Sequence, residues 1–193
     1  MKIFSLAFSA RQSGNCSKVL QYCLSQPPLR QMEQDHCSAF DLTITPCQGC
    51  NYECFLESGS CPLIDTDDVA LLYRKWAQSD LTLCAIPVYS GNLAAQYFAF
   101  WERGQAFFKN SQSYHDLLRK VHFLIIGNLS AGGDMALHQA LYPYANLNFW
   151  PETLIFSSHE YGRKSISGDL IESAEVRGRL DAWVGRIATR IKL

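Results

Sequence analysis

The sequence predicts an α/β fold, an open doubly wound sheet of five parallel strands with helices on both faces, on three observations. Short apolar runs recur along the chain, the clearest of them end in polar, glycine-bearing loops, and those loops lead into segments with helical spacing. Parallel strands need crossover connections, which are mostly helices and right-handed, so this alternation implies a sheet covered on both sides.

The first strand is the apolar run Ile3–Phe8, followed by a polar turn and then Val19, Leu20, Cys23 and Leu24 at helical spacing until Pro27 and Pro28 stop the helix. A second strand is expected near Cys37–Ile44. Pro46–Ile64 holds four cysteines with Gly, Pro and Asn but no sustained period, and reads as an inserted loop. Asp65 and Thr66 are N-cap candidates, Asp67 and Asp68 suit the positive end of a helix, and Val69, Leu72, Tyr73 and Trp76 continue at i, i+3, i+4 and i+7. Leu81–Ile86 lacks alternation, as a strand covered on both faces does, and precedes a loop and a helix over Leu93–Arg103. Val121–Ile126 repeats the pattern, with a helix through Met135, Leu137, His138 and Leu141 up to Pro143. Phe149–Phe156, interrupted by Pro151, is the fifth strand, and Leu180, Trp183, Val184, Ile187 and Ile191 mark a C-terminal amphipathic helix. No repeat or linker divides the chain, so residues 1–193 read as one domain carrying a Cys-rich loop at 46–64.

Composition narrows the function. At 48% hydrophobic and 18% charged residues, with a net charge of -1, the chain is neither disordered nor basic enough for a nucleic-acid footprint. No apolar stretch approaches the ~20 residues that span a bilayer, so no membrane partner is expected. The run Ile3–Ala10 contains two serines and ends at Arg11, a poor signal-peptide core, which makes the chain read as cytoplasmic. Thiols are kept reduced there, so eight cysteines point to metal or redox chemistry before structural disulfides. Cys23, Cys37 and Cys84 read as buried small hydrophobes.

In a doubly wound sheet the loops after the first, third and fourth strands converge beyond the carboxyl ends, where ligands bind. The first offers Ser9, Arg11, Ser13, Asn15, Cys16 and Ser17, with Gly14 to let the backbone turn, and runs into a helix N-terminus, an arrangement that favours a phosphate monoester. A plain strand-to-helix turn with an N-cap accounts for the same residues. The second loop is Pro87, Val88, Tyr89, Ser90, Gly91 and Asn92; the third runs from Gly127 and Asn128 to Gly132 and Gly133. There is no GxGxxG and no GxxxxGK[ST], and Gly127–Gly132 has the spacing GxxSxG where a nucleophile elbow needs GxSxG. The Cys-x5-Arg loop of small phosphatases is also missing.

Phe8-Ser9-Ala10-Arg11-Gln12-Ser13-Gly14-Asn15-Cys16 resembles the FMN phosphate loop of the flavodoxin-like NADPH-dependent FMN reductase and iron-sulfur flavoprotein family, usually Gly-Ser-Pro-Arg-x-x-Gly-Asn-Thr. Phe8 stands for the glycine, Ala10 for the proline and Cys16 for the threonine. Ile86-Pro87-Val88-Tyr89-Ser90-Gly91-Asn92 resembles the family's second flavin loop, Ser-Pro-Val-Tyr-x-Gly, and Gly127–Gly133 the third, with its usual Thr-Gly-Gly altered. The resemblance implies a five-stranded flavodoxin-like fold, noncovalent FMN and often a homodimer with flavin sites near the subunit contact. It assigns the phosphate to the first loop and the ring to Pro87–Asn92, with the third loop bordering the isoalloxazine. The flavin would do the hydride and electron work, so no catalytic side chain is demanded.

Cys47-x2-Cys50-x3-Cys54-x6-Cys61 places four thiols in one segment, enough for an iron-sulfur cluster or zinc. The family pattern is Cys-x2-Cys-x2-Cys with a later fourth, so the second gap here is one residue longer, and free thiols or a reversible disulfide fit as well. Three functions therefore stand: an oxidoreductase of the NAD(P)H-dependent FMN or quinone reductase type passing electrons to a small-molecule acceptor; an electron carrier with a 4Fe–4S cluster; and a phosphate-ligand binding module without turnover. Tyr97, Phe98, Phe100, Trp101, Phe107 and Phe108 exceed what one helix face buries, and some are expected at a homodimer contact.

Overall fold

A computed structural model of the chain describes residues 1–56, 60–108 and 111–191. Along it run β1 (Lys2–Ala7), α1 (Asn15–Ser25), α2 (Pro27–Arg30), β2 (Glu33–Ser38), α3 (Val69–Gln78), β3 (Leu81–Tyr89), β4 (Asn92–Leu93), α4 (Ala95–Glu102), α5 (Ser111–Leu118), β5 (Val121–Gly127), α6 (Gly133–Leu141), β6 (Thr153–Ser157) and α7 (Ala174–Arg190). The main sheet is all parallel in the order β2-β1-β3-β5-β6, the flavodoxin-like order, with the two-residue β4 antiparallel to β3.

Alternate residues of the central strands face opposite cores, which is why their sequences show no polar face. Ile3, Ala7, Leu81, Leu83 and Leu124 pack with α1 and α7 through Leu20, Leu180 and Trp183. Phe4, Leu6, Ile86, Phe123 and Ile125 pack with α3, α4 and α6 through Leu72, Trp76, Phe100 and Ala136. Among the described residues no helix is long and apolar enough to cross a membrane.

Three expectations are corrected. The second strand starts at Glu33 and not near Cys37, because an edge strand next to solvent carries Glu33, Gln34 and Asp35 and so has no apolar run to read. The fifth starts at Thr153, after Pro151, whose missing N–H suits the approach to a strand and not its ladder. Neither Asp65 nor Thr66 caps α3: Asp68 holds the N-cap position without a side-chain cap, and the Val69 amide donates to Asp67 Oδ1 at 3.2 Å. The aromatic run is mostly core, with Tyr97 and Phe100 buried and Tyr73 stacked 4.4 Å from both Phe100 and Phe107; only Phe98 of the six is exposed.

His122 in β5 is buried, and its Nδ1 accepts from the Glu152 amide at 2.9 Å. Burial, with Arg190 nearby, lowers its pKa from 6.5 to about 4. The folded state thus prefers the neutral ring, so stability should fall as pH drops from 6.5 through about 4. His122→Asn keeps an acceptor without the titration, and its denaturation midpoint should change less over that interval than the wild type's.

Candidate functional site

At the carboxyl edge of the sheet an open cleft is lined by Ser9, Arg11, Gly14, Asn15 and Cys16 from the first loop, Pro87, Val88 and Tyr89 from the second, and Ile126, Gly127 and Asn128 from the third. Three loops expected to meet do meet. Ser165, from the segment between β6 and α7, is also in the lining.

The first loop turns at Gly14, where a Cβ would lie 3.3 Å from Ser9 Oγ. Gly14 is also the N-cap of α1 and offers no side-chain cap, so the first-turn amides keep their donor capacity. Beside them Ser17 Oγ is buried without a hydrogen-bond partner among the described residues. Burial pushes the Cys16 thiol up to about 12, so it stays protonated and serves as a small apolar wall. Ser13 is exposed and outside the lining.

Ser90 and Gly91 take φ of 50° and 83°, the two left-handed residues of a tight hairpin joining β3 to β4. That turn throws Tyr89 outward: it is half exposed and lines the cleft. Asn92 lies outside the lining and accepts from Gln139 Nε2 at 2.8 Å, tying the hairpin to α6. Gly132, also outside it, braces the hairpin, since a Cβ there would sit 2.5 Å from the Gly91 carbonyl oxygen; Gly133 is exposed with φ of 50°.

The unforeseen part follows β6. Ser158 and Ser165 hydroxyls both donate to the Gly127 carbonyl at 3.1 Å, and the Ser165 amide donates to Asn128 Oδ1 at 3.0 Å. Asn15 is engaged on both sides, donating to Ser158 Oγ at 3.4 Å and accepting from the Leu170 amide at 3.1 Å. Arg11 donates to the carbonyls of Ser165 and Ile166. Ser157 ends β6 and Ser158 directly follows it, and the same carboxyl-edge rule that picks the other loops is the available signal.

The four cysteines of the inserted loop are not gathered. Cys47 is exposed, with its amide donating to Glu102 Oε1 at 2.6 Å, whereas Cys61 is buried against Arg103. Among the described residues no three His, Cys, Asp or Glu side chains are placed to hold a metal ion. The expected thiol site for a cluster or zinc therefore does not fit the loop as it is folded.

The sequence model of one protein family, described as NADPH-dependent FMN reductase, matches residues 1–161. The chain belongs to this family. Membership agrees with the likeness carried by the three loops, all of which lie inside the matched residues. Among curated proteins, the chain is similar to an iron-sulfur flavoprotein of Methanocaldococcus jannaschii, 31% identical over 105 residues that make up 54% of this chain and 52% of the relative. An iron-sulfur flavoprotein of Methanosarcina thermophila is 26% identical over 162 residues, 77% of this chain and 74% of that one. The chain thus spans about half the length of the first relative. Among solved structures, a flavone reductase superposes with a TM-score of 0.66 at 14% identity, over 100% of this chain and 63% of the other. An FMN-dependent NADH-azoreductase from Bacillus anthracis in complex with FMN gives 0.64 at 10% identity, over 97% and 100%. At such identities the structural likeness shows the family's fold.

Proposed function

We propose that this chain is a flavin oxidoreductase of the NAD(P)H-dependent FMN or quinone reductase type, built as one flavodoxin-like domain that binds FMN noncovalently. The observation that carries this is the cleft itself, where three loops converge on an uncapped helix N-terminus, with the unpartnered hydroxyl of Ser17 buried behind the lining in the first turn of α1. That donor set suits a phosphate monoester. Pro87, Val88 and Tyr89 form an apolar flank for a flat ring, with Ile126–Asn128 alongside them on the neighbouring strand and its loop. Bound FMN would supply the hydride and electron chemistry between NAD(P)H and a small-molecule acceptor. The protein's part is to hold the phosphate, orient the ring and leave one side of the cleft open. Ser13, Ser90, Gly91, Asn92, Gly132 and Gly133 support this site from outside its lining. The relatives are named iron-sulfur flavoproteins, but the thiols of this loop are not arranged for a cluster, and electron transfer through one is no part of the proposed reaction.

We also place the protein in the cytoplasm, which suits eight cysteines, and expect a homodimer. With the aromatic run in the core, the exposed Leu129, Met135, Tyr142 and Trp150 on and around α6 are the better contact residues.

The test is anaerobic titration of the purified protein with FMN and then NADPH. Quenched flavin fluorescence and visible bands that bleach with each NADPH addition are expected. FMN that binds but does not bleach would leave a binding module; no binding would overturn the reading. Sedimentation of the same sample at micromolar concentration as a strict monomer would remove the dimer.

A further inference from the structure

We propose that Arg11 is a positioning residue: its guanidinium fastens a strap at residues 163–167 as the fourth wall of the cleft, holds the ring-side loop through it, and is not the cation that binds the phosphate. This role rests on the flavin reading above and departs from the local one, in which a first-loop arginine beside a helix N-terminus is the phosphate's countercharge. The strap also lies outside the matched residues 1–161.

Among the described residues that line the cleft, Arg11 is the one with a charged side chain, and that charge is already engaged. Its Nη1 donates to the Ser165 carbonyl at 2.7 Å and its Nη2 to the Ile166 carbonyl at 2.6 Å. Two donors on two successive carbonyls fix the plane of the guanidinium, a geometry that a single ammonium does not reproduce. Apolar burial does not hold the strap in place of these contacts. From Gly162 to Asp169 the one large apolar side chain is Ile166, which is 78% exposed. Farther along, Lys18 Nζ donates to the Gly168 carbonyl at 2.7 Å and Asn15 Oδ1 accepts from the Leu170 amide at 3.1 Å. Loss of Arg11 therefore frees a short stretch and leaves the rest of the segment anchored.

What the strap touches decides the consequence for a ligand. Ser165, itself in the lining, donates from Oγ to the Gly127 carbonyl at 3.1 Å and from its amide to Asn128 Oδ1 at 3.0 Å. Gly127 and Asn128 belong to the third loop, on the ring side of the site, whereas Arg11 stands in the first loop, on the phosphate side. Through Ser165 the arginine thus reaches across to the ring side. A group that gives charge to a phosphate affects only a ligand that has one. A group that sets the wall beside the ring affects every flavin alike.

The experiment compares wild type with Arg11→Ala and Arg11→Lys, reading by fluorescence the affinities for FMN and for riboflavin, which has the same ring and no phosphate. Without ligand, hydrogen exchange reads the strap at the amides of Ser165, Ser167 and Gly168, which donate to Asn128 Oδ1 and to the Lys164 and Ser165 carbonyls. Arg11→Ala should weaken FMN and riboflavin roughly tenfold each, within about threefold of one another, and speed the exchange by a similar factor. Arg11→Lys keeps the charge without the fork and should resemble Arg11→Ala in both readings. A loss confined to FMN would overturn the role and give Arg11 to the phosphate, as would an Arg11→Lys that regains FMN affinity while its strap exchanges fast. Exchange unchanged in both variants would remove the fastening. If wild type bound neither flavin, the flavin reading would fall, and the exchange rates would still decide whether Arg11 holds the strap.

Discussion

Gly127→Ala is expected to destabilise the protein by about 3 kcal/mol or more, well beyond a routine surface change, and to abolish flavin binding. A Cβ at Gly127 would lie 2.0 Å from the Ser130 carbonyl oxygen and 2.6 Å from the Ala131 Cα, both backbone atoms. Relief therefore requires the third loop to move as a unit. The Gly127 carbonyl also accepts from Ser158 and Ser165, so the displacement would reach the fourth segment of the cleft. Gly91→Ala is the control: its φ of 83° strains any L-residue, yet nothing lies within 4 Å, and a cost of about 1 to 2 kcal/mol is expected. Denaturant midpoints at constant slope measure both, and equal losses would show that the close approach at Gly127 is relaxed without strain.

Breaking the ion pair beneath the cysteine loop should cost about 3 to 5 kcal/mol, because it leaves a buried charge behind. Arg103 and Asp67 meet at 2.7 Å with side chains 1% and 0% exposed, and the Asp67 carboxylate also accepts from the amides of Thr45 and Val69. Burial alone would raise the Asp67 pKa, but the Arg103 guanidinium and the two amides outweigh it and hold the carboxyl below its ordinary value. A depressed carboxyl contributes its stability above the unfolded pKa of about 3.9 and loses it as pH falls through the folded value. Arg103→Met should thus lower the denaturation midpoint sharply at neutral pH, and Arg103→Met/Asp67→Asn should recover much of it. The double variant should also lack the loss of stability that the wild type shows below about pH 4, whereas the His122 effect lies at higher pH. A double variant as unstable as Arg103→Met would locate the cost in packing and not in charge.

Much of the fold was legible because buried parallel strands write themselves as apolar runs: β1, β3 and β5 were visible as such, and α7 by its period. The edge strand β2 carries no such signal, because most of its residues face solvent. Three of the cleft's four walls could be named, since each is a polar loop after an apolar strand. The fourth could not, because Ser165 acquires its place through Gly127, Asn128 and Arg11, all distant in sequence. Asp67 fitted a helix-dipole role on local grounds, and only the fold brings Arg103 to it. Likewise the cysteine spacing is compatible with a thiol tetrad, while Cys61 has been drawn under the protein surface beside that same arginine.

The joined base of the cysteine segment has a consequence for how such proteins can diversify. The Thr45 amide donates to Asp67, the Thr43 amide to Asp68, and the Asp68 amide back to the Thr43 carbonyl. The excursion between them begins and ends at one stitched point. Closing a flexible loop costs only about 0.6 kcal/mol more for each doubling of its length. Residues could therefore be gained or lost within the excursion while the stitch, the sheet and the cleft keep their positions, which makes this segment an exchangeable cassette on a fixed scaffold.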